Sequence, residues 1–170
     1  MFYRFGTLSI FGNMDLAKTF LVAGLAFMLL SSCQSNGVFE KVAFFPKHEW
    51  VSSNQPEFQF AVTDTNALYH IYAVVRHEDA YRYNNLWVHF STQSPGDSAK
   101  KQLINLRLAD NRRGWLGTGM DDIFDHRIRL TQGPIQLKSG TYKFSLQQAM
   151  REDPLPYMLN AGIRVEKVAK

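Results

Sequence analysis

The chain has 170 residues, 45% hydrophobic and 14% aromatic, with a formal net charge of +4. Its single cysteine excludes a disulfide framework and any zinc site built on cysteines. The 19 basic and 15 acidic side chains are spread along the chain, the densest basic clusters being Lys100-Lys101, Arg112-Arg113 and Arg127 with Arg129; this lacks the concentrated basic stripe of a nucleic-acid binder, and no nucleic-acid partner is expected.

The first element is a targeting segment. Lys18 precedes an apolar run from Phe20 to Leu30, and Ser31-Ser32-Cys33 follows. That is the layout of a bacterial lipoprotein signal: a positive region, an apolar region, small residues, then cysteine. The apolar region enters the inner membrane, the small side chains admit the scissile bond to a peptidase, and the Cys33 thiolate takes the lipid. The run is shorter than the roughly 20 residues needed to span a bilayer. The competing readings are a short transmembrane anchor or a free cytosolic thiol. Residues 1–32 are read as a signal peptide and Cys33 as the lipidation site, carrying a covalent N-acyl diacylglycerol of the palmitate type. Each buried methylene adds about 0.8 kcal/mol, so several chains hold a domain firmly on a membrane. Met14, followed by Asp15-Leu16-Ala17-Lys18, makes a more ordinary start than Met1. Removing Arg4, Lys18 and Asp15 with the signal leaves 17 basic and 14 acidic side chains over residues 33–170. That stretch suits one domain.

Cys33-Gln34-Ser35-Asn36-Gly37 is polar and small, a lipidated tether over 33–37, and residues 38–170 form the domain. Apolar alternation then recurs. It places Phe58, Phe60 and Val62 on one face, then Tyr69, Ile71, Ala73 and Val75, then Leu86, Val88 and Phe90. Ile104, Leu106 and Leu108 follow, then the weaker pair Ile128 and Leu130, then Tyr142, Phe144 and Leu146, and last Ile163 and Val165. Period 2 in aromatic and β-branched runs suits half-buried pleated surfaces. Turn signals separate the runs: Asp64-Thr65-Asn66, Asn84-Asn85, Ser94-Pro95-Gly96-Asp97, Gln132-Gly133-Pro134 and Lys138-Ser139-Gly140. The spacing predicts an all-β domain, a single antiparallel β-sandwich of about seven or eight strands, jelly-roll or immunoglobulin-like.

No constellation for catalysis emerges, and no enzyme activity is expected. A hydrolase needs a nucleophile beside a base, or paired carboxylates. Asp121, Asp122 and Asp125 suggest either a cation or sugar site or, preferably, a solvated turn; calcium-loop spacing is absent. His48, His70, His77, His89 and His126 show no metal-ligand spacing, and His77-Glu78-Asp79 reads as a polar turn. No metal and no cofactor are expected. Gly114, Gly117 and Gly119 lack the Lys-Ser/Thr of a phosphate loop and read as positive-φ positions at a bend or bulge. Trp50, Trp87 and Trp115 are candidate contacts for a partner or a glycan; Trp87 points away from Leu86 and Val88, so it is either exposed or loop-covered. Gln147-Gln148 breaks the alternation of its strand, which suggests a bulge or a strand end with amides satisfying backbone.

An ordered set of motifs remains. Phe60-Ala61-Val62-Thr63-Asp64-Thr65 and Tyr83-Asn84-Asn85-Leu86-Trp87 come first, then Gly114-Trp115-Leu116-Gly117-Thr118-Gly119-Met120-Asp121-Asp122-Ile123. Ser139-Gly140-Thr141-Tyr142-Lys143-Phe144-Ser145-Leu146-Gln147-Gln148-Ala149-Met150-Arg151 and Leu159-Asn160-Ala161-Gly162-Ile163-Arg164-Val165-Glu166 close the chain. With the lipid signal, this order resembles the gliding motility lipoprotein GldH family of Bacteroidetes-type bacteria. The extended terminus before Met14 departs from the family pattern, and variation is expected among the polar residues of Met120-Asp121-Asp122-Ile123. The resemblance implies a non-catalytic, membrane-anchored envelope lipoprotein of the gliding and type IX secretion machinery. Its partners would be the membrane and other gliding lipoproteins, which it would help to assemble or stabilise. Gln34 after Cys33, in place of Asp, implies outer-membrane delivery with a periplasmic face. The alternative reading is a carbohydrate-binding β-sandwich module of an envelope lipoprotein; an envelope hydrolase is a weaker third.

Overall fold

Alternating apolar and polar side chains give each strand one face for a core and one for water. The computed structural model describes residues 37–168, and among these there are fourteen strands and no helix. In chain order they are β1 (Gly37–Phe44), β2 (Glu49–Trp50), β3 (Glu57–Val62), β4 (Leu68–Glu78), β5 (Asn85–Gln93), β6 (Lys100–Arg107) and β7 (Ala109–Asp110). Then come β8 (Gly114–Trp115), β9 (Thr118–Met120), β10 (Ile123–Arg129), β11 (Ile135–Gln136), β12 (Gly140–Gln148), β13 (Leu155–Pro156) and β14 (Met158–Lys167). Eight of them have six residues or more, in line with the seven or eight strands expected. The signal segment, Met14 and Cys33 lie outside the described residues.

All pairings are antiparallel. One sheet runs β1-β14-β4-β10-β9, with β11 also paired to β4; the other runs β3-β12-β5-β6. Two small ribbons, β13-β2 and β7-β8, complete the structure. The apolar sets anticipated from period 2 meet between the sheets. Phe58, Phe60 and Val62 of β3 and Tyr142, Phe144 and Leu146 of β12 are buried with Tyr69, Ile71, Ala73 and Val75 of β4. Aromatic contacts cross the gap, Phe39 to Phe60 at 5.4 Å and Phe60 to Tyr69 at 6.3 Å between ring centroids. Leu106 and Leu108 are buried and Ile104 is partly buried, while Ile128 and Leu130 pack at the margin.

Gln148 continues the inward alternation of β12 instead of bulging. Its register with β5 is regular up to the Gln148–Val88 pair, where the strand ends. The buried amide satisfies backbone: Nε2 donates to the Glu152 carbonyl at 3.3 Å, and Oε1 accepts from the Met150 N–H at 2.8 Å. The strand end and the backbone-satisfying amides follow the sequence reading; the bulge is absent.

At Gly162 the outer strand β1 lies so close to β14 that a Cβ would meet Val42 Cγ1 at 2.6 Å and its Cα at 2.7 Å. Gly162 pairs with Val42 on one side and Val74 on the other. Forcing a side chain into a packed site costs about 1–3 kcal/mol. Gly162→Ala is therefore expected to lower the denaturant midpoint by that amount; an unchanged midpoint would show that β1 retreats freely.

Candidate interaction surface

The outer face of the six-stranded sheet is built in cross-strand rows. One row reads Phe44, Asn160, Arg76, Asp125 and Thr118, from β1 through β14, β4 and β10 to β9. The next reads Val42, Gly162, Val74 and Arg127, and the third Glu40, Arg164, Tyr72 and Arg129. Strand register decides which side chains share this face. Phe44 is 69% exposed, an uncommon state for an aromatic side chain on an ordered strand. At Gly162, in the second row, β1 closes over the space a side chain would need. With Leu116 and Gly117, the first row together with Val42, Val74, Arg127 and Glu40 lines an open groove of about 550 Å³.

Charges in the groove are matched within the chain. Arg76 holds Asp125 bidentately, at 2.8 Å through Nε and 2.7 Å through Nη2. Arg164 bridges Glu40 and Glu166, each at 2.5 Å, and Arg127 approaches Glu40 at 3.7 Å. The hydrogen bonds to both carboxylates raise the Arg164 pKa further. One polar group stands unmatched. Asn160 is 5% exposed, and its Oδ1 has no hydrogen-bond partner among the described residues. Such an orphan costs about 1–3 kcal/mol.

A β-bulge explains how Asn160 reaches this face. Met158 pairs with His77 and faces the core; Asn160 pairs with Arg76 and faces the groove, with Leu159 as the extra residue between them. In a regular strand two residues two apart share a face. The bulge breaks that parity and turns Asn160 outward.

Behind the groove lies a cluster that the sequence reading missed. His77 and Glu78 are the last residues of β4, so this stretch is not simply a polar turn: His77 is fully buried. Its Nε2 lies 2.9 Å from Nε2 of His126, and its Nδ1 lies 2.7 Å from the Glu78 carbonyl. The Nδ1–H donates to that carbonyl, so Nε2 of His77 accepts the Nε2–H of His126. Both imidazoles are neutral. Burial pushes the His77 pKa down, and burial reinforced by the neighbouring His77 pushes His126 down to about 4. Trp115, Tyr81 and Phe124 pack around His77, with ring centroids 4.4, 5.2 and 5.9 Å away. With both of its nitrogens engaged, His77 is a structural tie between β4 and β10. Two histidines 49 positions apart leave no local spacing signal.

The glycines divide by role. Gly114 has φ of +72°, as expected of a bend. Gly117 and Gly119 do not; a Cβ at Gly117 would meet the His126 ring at 2.9 Å, and one at Gly119 would meet the Phe124 ring at 2.6 Å. They let the β8–β9 arm lie flush on β10. The three acids separate: Asp121 and Asp122 form the turn before β10, and Asp125 stands on the strand paired with Arg76. Asp121 adopts φ of +55°, and the Asp122 carbonyl accepts the Asp79 N–H. Among the described residues no three His, Cys, Asp or Glu side chains converge on a metal position.

The three tryptophans do not form one platform. Trp50 is wholly buried, stacked on Phe45 at 5.0 Å, with its Nε1–H donating to the Asn54 carbonyl. Trp115 is half-buried in the histidine cluster, with its N–H on Asp79. Trp87 is 38% exposed on the outer face of the four-stranded sheet, opposite Asn105 and near Leu103, Tyr83 and Met150. Asn160 figured in the sequence only as a member of the closing Leu159–Glu166 motif.

Comparison with known proteins gives a consistent set of likenesses. The family model described as GldH lipoprotein matches residues 37–165. A "Gliding motility lipoprotein GldH homolog" of Christiangramia forsetii is 26% identical over 147 residues, covering 82% of this chain and 90% of that protein. The "Gliding motility lipoprotein GldH" of Flavobacterium johnsoniae is 25% identical over 150 residues, covering 84% of this chain and 92% of that protein. No solved structure matches.

Proposed function

Because this chain belongs to the GldH lipoprotein family, we propose that it is a non-catalytic component of the gliding motility and type IX secretion machinery, held in the envelope through acylated Cys33 and supporting the assembly or stability of partner gliding lipoproteins. The observation that carries this reading is the family match across the whole sandwich, together with relatives named as gliding motility lipoproteins. The physical logic is confinement. A lipid on Cys33 restricts the domain to one surface and raises its effective concentration for other anchored partners. Gln34 after Cys33 favours delivery to the outer membrane, with the domain in the periplasm.

The test is a deletion strain complemented with wild type or Cys33→Ala. Colony spreading, export of a type IX cargo and the abundance of the other gliding lipoproteins are expected to fall in the deletion. Wild type should restore them and Cys33→Ala should not. Normal spreading, export and partner levels in the deletion would sink the reading. One observation favours a second reading: Trp87 is exposed beside Asn85 and Asn105, side chains suited to a sugar ring. Retention on polysaccharide that Trp87→Ala abolishes would support glycan binding in its place.

A further inference from the structure

We propose that the outer face of the four-stranded sheet, centred on Trp87 and Leu103, lies on the phospholipid headgroups of the membrane that holds the chain, drawn there by anionic lipid. This rests on the reading above, in which Cys33 carries the lipid. The length of the tether sets the first constraint. Four residue steps lead from Cys33 to Gly37, the first residue of β1. Fully extended they span about 14 Å, whereas the two sheets alone stand about 10 Å apart and carry side chains on both outer faces. One side of an anchored domain is therefore always close to the lipid. β1 is an edge strand, and its Phe39 packs on Phe60 of β3, the edge strand of the other sheet. The tether leaves from this shared margin, so either sheet can turn its outer face to the bilayer, and the charges on the two faces decide between them.

The six-stranded face is balanced. Its rows hold Arg76, Arg127, Arg129 and Arg164 against Glu40, Glu78, Asp125 and Glu166. The four-stranded face is cationic. Lys101 and Lys143 belong to its outward rows and Arg151 lines the hollow beside Trp87; all three are exposed, and none has a carboxylate partner among the described residues. Lys101 donates only to the neutral Gln147 Oε1, at 3.0 Å. Arg112 lines a second hollow with Arg107, whose charge Asp110 matches, and Glu57 is the other acid of these rows. Within this cationic rim Leu103 is 54% exposed and Trp87 38% exposed, on neighbouring rows. Such a face suits a lipid surface: the indole sits at headgroup level, and Lys and Arg lay their stems along the apolar zone with their charges on the phosphates. A neutral sugar on Trp87 would leave these cations unmatched. The tether keeps lipid at a high effective concentration beside them, ahead of any acidic protein that must diffuse in.

The test uses the full lipidated chain, extracted from membranes and reconstituted in vesicles of phosphatidylcholine and phosphatidylglycerol. The lipid occupies the thiol of Cys33, the only cysteine, so Leu103→Cys or Phe44→Cys supplies a unique site for a fluorophore, on the four-stranded and the six-stranded face respectively. Nitroxide-labelled headgroups are expected to quench the label at 103 several times more strongly than the label at 44. Leaving out phosphatidylglycerol, or changing both Lys101 and Lys143 to Gln, should erase that difference, since each cation lost lowers the ratio of docked to undocked domain by about fivefold. The melting temperature of the double variant should stay unchanged, and changing both lysines to Arg should preserve the contact. Equal quenching at the two positions, stronger quenching at 44, or a difference that survives loss of the anionic lipid and of both lysines would overturn the docking; the first two would leave this face to an acidic protein or a glycan. Vesicle flotation separates the two claims. A chain that does not float lacks the anchor, and the reading above falls together with the docking. A chain that floats but is quenched equally at both positions keeps its anchor and loses only the docking.

Discussion

Truncating Phe144 to alanine is expected to lower domain stability by about 3–5 kcal/mol. Phe144 is 1% exposed on β12, the strand held between β3 and β5. Its ring lies 6.1 Å from that of Phe90 and 6.2 Å from that of Tyr142, both nearly parallel to it. Alanine would remove the aromatic contacts and leave a void enclosed by two rigid sheets that cannot close over it. The cost is the lost transfer energy plus the cavity. Urea denaturation followed by tryptophan fluorescence measures it. The buried Trp50 reports the core, and the denaturant midpoint should fall while its slope holds. A loss under 1 kcal/mol would mean that the sheets are loosely packed at this layer. Leu103→Ala is the matching control: Leu103 faces solvent from β6, and its loss should change stability by no more than about 0.5 kcal/mol.

Acidification should cost the domain on the order of 3 kcal/mol through His126 alone. The folded state holds His126 neutral down to about pH 4, because the charged form would be buried beside His77. The unfolded chain takes its proton near the ordinary value of 6.5. Between these limits the unfolded state binds more protons, so stability rises with pH across that window. The contribution is complete above about pH 6.5, falls as the pH drops, and is gone near pH 4. His77 shifts in the same direction and adds to the slope. The carboxylates of Asp64 and Asp153, stabilised by hydrogen bonds from Lys167 and Ser52, lie below their ordinary range and act in more acidic solution. Melting temperatures from pH 7.5 to 4.5 test this. His126→Gln, which keeps a donor for His77 but cannot take a proton, should flatten the profile. An equally steep profile in that variant would assign the slope to other groups.

The period of two, the aromatic and β-branched composition and the turn residues were enough to read the class of fold and most of its core. Phe58, Phe60 and Val62, or Tyr142, Phe144 and Leu146, belong inside because consecutive strand side chains point to opposite faces, a rule local to the backbone. Trp87 was legible on the same ground, as a residue opposed to Leu86 and Val88. The placement of Trp50 was not. It belongs to a two-residue strand paired with Leu155-Pro156, and that neighbour is supplied from far along the chain.

The candidate surface shows the same division. The amino-acid order determined that this is a strand-built sandwich with a lipid-signal pattern ahead of it, since alternation, turn propensity and the Leu30-Ser31-Ser32-Cys33 run are properties of neighbouring residues. Only the tertiary structure decided that His77 meets His126, that Arg76 clamps Asp125, and that Asn160 faces a groove instead of the core. The first two join strands 49 positions apart through register, and the third depends on one extra residue at Leu159. Pairing partners and bulges follow from how whole sheets pack against one another, an energy shared among distant residues that no short window of the chain contains.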